Sequence, residues 1–134
     1  FNFRGVGRSG GVHDNGRGEV LDLETAVAQA GSQPIIIGYS FGAWIASAFL
    51  AHHSLPCILV APPTGMFPFP SLQGQAVWAV VGSHDQFCDQ QALQTGLDAD
   101  RLTIVPSIDH FWFGHEQRLS DYLTRVLCAL VDPH

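Results

Sequence analysis

The residues with the most evident chemistry are Gly38-Tyr39-Ser40-Phe41-Gly42, a G-x-S-x-G pattern. A serine hydroxyl is a weak nucleophile until a base takes its proton, and that base needs a carboxylate to hold its tautomer. Both partner types stand downstream in the order acid then base: Asp85 in Val81-Gly82-Ser83-His84-Asp85, and His110 in Ser107-Ile108-Asp109-His110-Phe111. Together they would carry out acyl transfer, with Ser40 as nucleophile, His110 as proton carrier and Asp85 as its orienting acid. Each role has rivals. Asp109 competes with Asp85, although a residue adjacent to His110 is poorly placed to reach the far nitrogen of its ring. His84 and His115 compete with His110, and Cys88 is a nucleophile type without flanking glycines. His52-His53 has the composition of a metal pair, but neighbours on a helix point apart, so a solvated helix end is expected and no metal.

These residues need elements that bring them to one place. Pro34 precedes Ile35-Ile36-Ile37, a β-branched run without polar alternation that suits a strand covered on both faces. Phe41 to Leu50 is apolar nearly all round and reads as an interior helix, so Ser40 sits on a strand-to-helix turn. The pattern requires that setting. Further strands are expected at Cys57–Ala61, Ala76–Val81 and Leu102–Val105, and one ending at Phe1-Asn2-Phe3. Helices are expected from about Glu19 to Ala30, over Asp89–Thr95, and from about Glu116 to Val131 with Pro133 as its stop. Asp85 and His110 then each follow a strand, on the rim that carries Ser40. Strands alternating with helices imply right-handed crossovers and an α/β fold of about five mostly parallel strands with helices on both faces.

The 134 residues suffice for one domain spanning 1–134, with 46% hydrophobic and 13% charged residues. Net charge is −6, and all six basic residues are scattered arginines, which excludes a phosphate-neutralising stripe and makes nucleic acid an unexpected partner. No apolar run approaches the roughly eighteen residues of a bilayer span, so no membrane partner is expected either. The three cysteines, Cys57, Cys88 and Cys128, share no close spacing, which favours a reducing, cytoplasmic compartment over a disulfide framework. Gly5-Val6-Gly7-Arg8-Ser9-Gly10 matches the dinucleotide pattern G-x-G-x-x-G, but more glycine and polar loop follows where a helix should open. The next strand also ends in Gly38-Tyr39-Ser40, with no acid to bind ribose, so no cofactor is expected.

Phe1-Asn2-Phe3-Arg4-Gly5-Val6-Gly7-Arg8-Ser9, Gly18-Glu19 and Asp22, with the elbow, acid and histidine segments, resemble a small bacterial branch of the α/β-hydrolase superfamily related to dienelactone hydrolases. The resemblance covers essentially the whole chain, and its segments specify the superfamily better than any substrate. It implies a Ser–Asp–His order, which these residues follow, and an oxyanion amide on the residue after the nucleophile, here Phe41. It also implies a longer front end: the strand at Phe1 corresponds to the family's fourth and that at Ile35 to its fifth. The third strand, which lies between them and whose loop supplies the second oxyanion amide, is missing. Three arrangements would answer that. The chain is a cut product; or the first strand moves beside Ile35–Ile37 and offers an amide near Gly5; or a second copy pairs with the open edge, giving a homo-oligomer.

The expected activity is hydrolysis of short-chain carboxylic esters at an open site, with thioesters and amides as alternatives. Tyr39, Met66, Phe67, Phe111 and Trp112 are candidate pocket residues, with core or oligomer contact as the competing role. A reading from another class is an inactive hydrolase fold that binds a partner. It predicts intact Ser–His geometry without an ordered second amide.

Overall fold

The computed structural model describes residues 1–132; Pro133, read above as a helix stop, lies outside them. Four strands, β1 (Ile36–Tyr39), β2 (Cys57–Val60), β3 (Val77–Gly82) and β4 (Leu102–Val105), form one sheet in the order β1-β2-β3-β4. All three strand pairs are parallel. The helices are α1 (Arg17–Gln29), α2 (Phe41–Leu50), α3 (Gln90–Gly96) and α4 (Glu116–Val131). This is the α/β class expected, with α2 and α4 at the bounds read from the pattern.

The unbroken apolar strands are explained by burial on both faces. Cys57 and Leu59 of β2 and Val77, Ala79 and Val81 of β3 join Leu23 of α1, Ile45 and Phe49 of α2 and Leu93 of α3 in one core. Ile58, Val60 and Val80 point the other way, against Tyr122 and Val126 of α4. The strands step across the sheet in one direction, and right-handed crossovers of that kind keep their connecting helices on one face. That leaves α4 to cover the other.

The expected strand at Phe1–Phe3 is a correction, and the sheet has four strands, not five. Gly5, Gly7 and Gly11 take positive φ of 73°, 56° and 82° and coil the chain immediately after it. Phe3 instead packs edge-on against Phe41, ring centroids 5.6 Å apart. Nor does this segment pair with β1, so the second of the three arrangements does not occur. The outer edge of β1 is open and runs along an apolar groove of about 520 Å³, walled by Phe3, Leu23, Val27 and Ile37.

Helix α1 begins at Arg17, two residues earlier than the pattern suggested, because Glu19 organises the turn before it. The Glu19 side chain is fully buried, and its carboxylate accepts from the amides of Asp14 at 2.6 Å and Gly16 at 2.9 Å. Burial alone would raise this carboxyl's pKa, but those amides and the nearby His13 outweigh it and hold it below its ordinary value of 4.5. Asp22 is likewise held low by hydrogen bonds from the Arg4 side chain and amide. Carboxyls with depressed folded-state pKa values stabilise the fold fully above their unfolded values, and that contribution disappears as pH falls through the folded ones. Urea midpoints should therefore hold steady down to the unfolded glutamate value of 4.5 and drop below it. Glu19→Gln should lower the midpoint at neutral pH and flatten the acid limb, as circular dichroism can follow.

Candidate active site

Ser40 occupies the turn between β1 and α2 at φ 52° and ψ −114°, a backbone region that side-chain-bearing residues rarely adopt. Strain of this kind costs about 1–3 kcal/mol and persists only where its surroundings enforce it. Here the Ser40 amide donates to the Val60 carbonyl at 2.9 Å, and the Ser40 carbonyl accepts from the Trp44 amide at 3.1 Å. Gly38 makes the turn possible: a Cβ there would stand 2.6 Å from the Gly42 carbonyl oxygen. Helix α2 starts directly after Ser40, so the Phe41 amide is among those the helix itself leaves without an acceptor.

Asp85 lies in the turn after β3 and His110 in the segment after β4. The Ser40 hydroxyl is 2.7 Å from His110 Nε2, and His110 Nδ1 is 2.9 Å from Asp85 Oδ2. Asp85 and His110 are both buried, at 6% and 4% exposure. The other Asp85 oxygen accepts from the Phe87 amide at 2.9 Å, so both oxygens are engaged. An ionised carboxylate only accepts, which makes His110 Nδ1 the donor and leaves Nε2 of the neutral ring as acceptor for the serine proton.

The two turns meet because of Gly82. The last residue of β3 has no side chain, and a Cβ there would overlap the Ile108 carbonyl. That carbonyl accepts from the His84 amide at 3.0 Å, and Ser83 Oγ accepts from the Ser107 amide at 2.9 Å. These links tie the segment holding His110 to the turn holding Asp85.

The rivals are placed elsewhere. Asp109 accepts from the Phe111 amide at 3.0 Å, in a local turn of its own. His84 is exposed, and His115 precedes the first residue of α4. The Cys88 thiol is half-buried and its pKa is pushed up by that burial, with Asp85 and Asp89 adding to the effect. His53 stacks on Phe49 and bonds its carbonyl. The loop Gly5–Gly10 closes on itself and does not open a helix.

Beside Ser40 and His110 is a pocket of about 330 Å³ whose walls are Phe41, Pro63, Met66, Phe67, Phe87 and Phe111. Met66, Phe67 and Phe111 were expected there. Phe67 stacks on Trp44 of α2 at 3.9 Å, which fixes the proline-rich loop over the elbow helix. Phe87 was missed, although its place two residues after the acid is a usable signal. Its ring lies 4.8 Å from that of His110.

Three expected residues are corrected. Trp112 is 2% exposed and belongs to the core under α4, because the chain turns between it and the half-exposed Phe111. Tyr39 is outside the pocket: it lies along the open edge of β1, and its hydroxyl donates to the His110 carbonyl at 2.7 Å. Gly5 is not a free oxyanion donor, since its amide is bonded to the Gly10 carbonyl at 3.0 Å.

The sequence model of the alpha/beta hydrolase family matches residues 1–132. The chain belongs to that family. An alpha-beta serine hydrolase homologue from Coxiella burnetii superposes with a TM-score of 0.78 and 26% identity, over 92% of this chain and 65% of that one. A protein of unknown function from Agrobacterium tumefaciens shares the fold, with a TM-score of 0.75 and 24% identity over 99% and 69% of the two chains. Aligned over 55 positions, the chain is 50% identical to an uncharacterized protein of Rickettsia prowazekii, the match covering 34% of this chain and 22% of that protein. The chain therefore spans less than two thirds of the first of these solved relatives and about a fifth of the Rickettsia protein. Among the described residues no helix is long and apolar enough to cross a membrane.

The Gly82 contact yields a direct test. Gly82→Ala should push the 107–110 segment off β3 and destabilise the fold by about 1–3 kcal/mol, the usual cost of overpacking. A lowered melting temperature checks this, whereas Gly10→Ala, where a Cβ would meet nothing within 4 Å, should lose less.

Proposed function

We propose that this chain is a serine hydrolase acting on short-chain carboxylic esters. The observation that carries the reading is the unbroken series from the Ser40 hydroxyl through His110 to the buried Asp85, at 2.7 Å and 2.9 Å, on a strained turn at the head of α2. In this reading His110 Nε2 takes the Ser40 proton as Oγ bonds to the ester carbonyl carbon. The Phe41 amide and the positive end of α2 stabilise the resulting oxyanion. The carbonyl re-forms, the bond to the alkoxide breaks, and His110 delivers its proton to release the alcohol. Water then attacks the acyl-enzyme, His110 takes its proton and returns it to Ser40, and the acid leaves. Asp85 holds the ring and stabilises the imidazolium throughout. The pocket's walls are apolar and carry no charged side chain, which suits a small uncharged acyl group.

One observation favours a second reading, a fold that keeps this series and binds a ligand without turnover. The Gly5 amide, offered as second oxyanion donor, is committed to Gly10, and losing one such donor typically costs about 10²–10³ in rate. Hydrolysis of p-nitrophenyl acetate and butyrate, run beside fluorophosphonate labelling, separates the two. The hydrolase reading expects turnover that Ser40→Ala abolishes and His110→Ala lowers by about 10²–10⁴. Labelling of Ser40 without turnover would support the second reading. Equal rates in the parent and Ser40→Ala would overturn the first.

A further inference from the structure

The segment that carries His110 is held under unusual conditions. Ser107 and Trp112, at either end of it, both take positive φ, 62° and 59°, without being glycine. Such a segment keeps its shape only where contacts hold it. Its flanks are anchored: the Ser107 amide bonds Ser83 Oγ, the Ile108 carbonyl bonds the His84 amide, and Ile108 and Trp112 are buried in the core. The midpoint is His110 itself. Among the described residues its backbone carbonyl accepts from the Tyr39 hydroxyl alone, at 2.7 Å.

Tyr39 and Ser40 are consecutive residues of the elbow. They reach the two ends of the same residue: Tyr39 holds the backbone of His110, and Ser40 meets its ring nitrogen at 2.7 Å. We propose that Tyr39 is a positioning residue, clamping the His110 backbone so that Nε2 stays in line with the Ser40 hydroxyl. The inference rests on the hydrolase reading for its kinetic consequence, but not for its geometry. Burial, followed by the charges of Asp85 and Asp109, raises the Tyr39 phenol's pKa and keeps it a donor at neutral pH. The ring of Tyr39 lies 5.9 Å from that of His110 and faces the open groove along β1. Both ring and hydroxyl therefore meet His110, and replacing tyrosine by phenylalanine removes the hydroxyl while keeping the ring contact.

The test compares Tyr39→Phe with Tyr122→Phe. Tyr122 offers a control, since its hydroxyl also donates to a backbone carbonyl, that of Ala79 at 3.2 Å, in the core under α4. Two readouts are taken on folded protein of measured melting temperature: the rate of fluorophosphonate labelling at Ser40, and the nuclear magnetic resonance signal of the His110 Nδ1 proton shared with Asp85. Tyr39→Phe should slow labelling about threefold to tenfold, the population change one ordinary hydrogen bond can hold, and should broaden or abolish the His110 signal. Tyr122→Phe should leave both unchanged even where it lowers the melting temperature more. The proposal is overturned if Tyr39→Phe leaves the His110 signal sharp and the labelling rate unaltered, or if the two variants slow labelling alike. Should the parent chain not label at all, the hydrolase reading fails while the resonance comparison still decides the role of Tyr39.

Discussion

Parallel pairing is the constraint from which the site follows. Because β1, β2, β3 and β4 all run the same way, every turn at a strand's carboxyl end emerges on one rim. Ser40, Asp85 and His110 are separated by tens of residues, yet each lies just beyond such an end. No side chain has to travel far, and the sheet's spacing does most of the placement. What remains is local: a turn tight enough to push the hydroxyl outward, and two neighbouring turns close enough to share a hydrogen bond. Gly38 and Gly82 meet those needs by leaving out a side chain where backbone of another segment passes.

Placement alone would not keep the ring in register. The buried polar groups of the site are engaged on every side: Asp85 by His110 and the Phe87 amide, His110 by Asp85, Ser40 and Tyr39. An unpaired polar group at such burial would be costly, whereas a satisfied network rigidifies what it joins. Strain is concentrated in the same region, at Ser40, Ser107 and Trp112. The chain thus holds its least comfortable backbone where its hydrogen bonds and core contacts are best able to enforce it.

Apolar surface is distributed unevenly around this frame. One face of the sheet is shared by α1, α2 and α3, and the other is covered by α4 with Ile108 and Trp112. Phe111, adjacent to Trp112, goes to the pocket instead, where it meets the proline-rich loop that Trp44 holds through Phe67. A separate apolar groove lies open beside β1. It reaches the elbow through Gly38, Tyr39, Phe41 and Gly42, and Phe41 also walls the pocket beside Ser40, so the groove adjoins the site across that one residue.

Local pattern was sufficient for much of this. The apolar strands, the helix after Ser40, the amphipathic α4 and the elbow follow from residues that interact within a few positions of one another, and the order of Ser40, Asp85 and His110 can be read along the chain without knowing their contacts. Family membership is legible there too. The sequence by itself could not settle matters that depend on residues far apart. A strand at Phe1–Phe3 needs a partner to pair with, and the glycines after it coil the chain before one is reached. The Gly5 amide was lost to a bond with Gly10, Trp112 to the core under α4, and Tyr39 from the pocket to the back of His110. Neighbouring residues in a turn can face opposite sides of the sheet, and only the packed structure decides which side each one takes. Residue types and their order thus determined the chemistry available, while the tertiary structure decided which groups are free to take part in it.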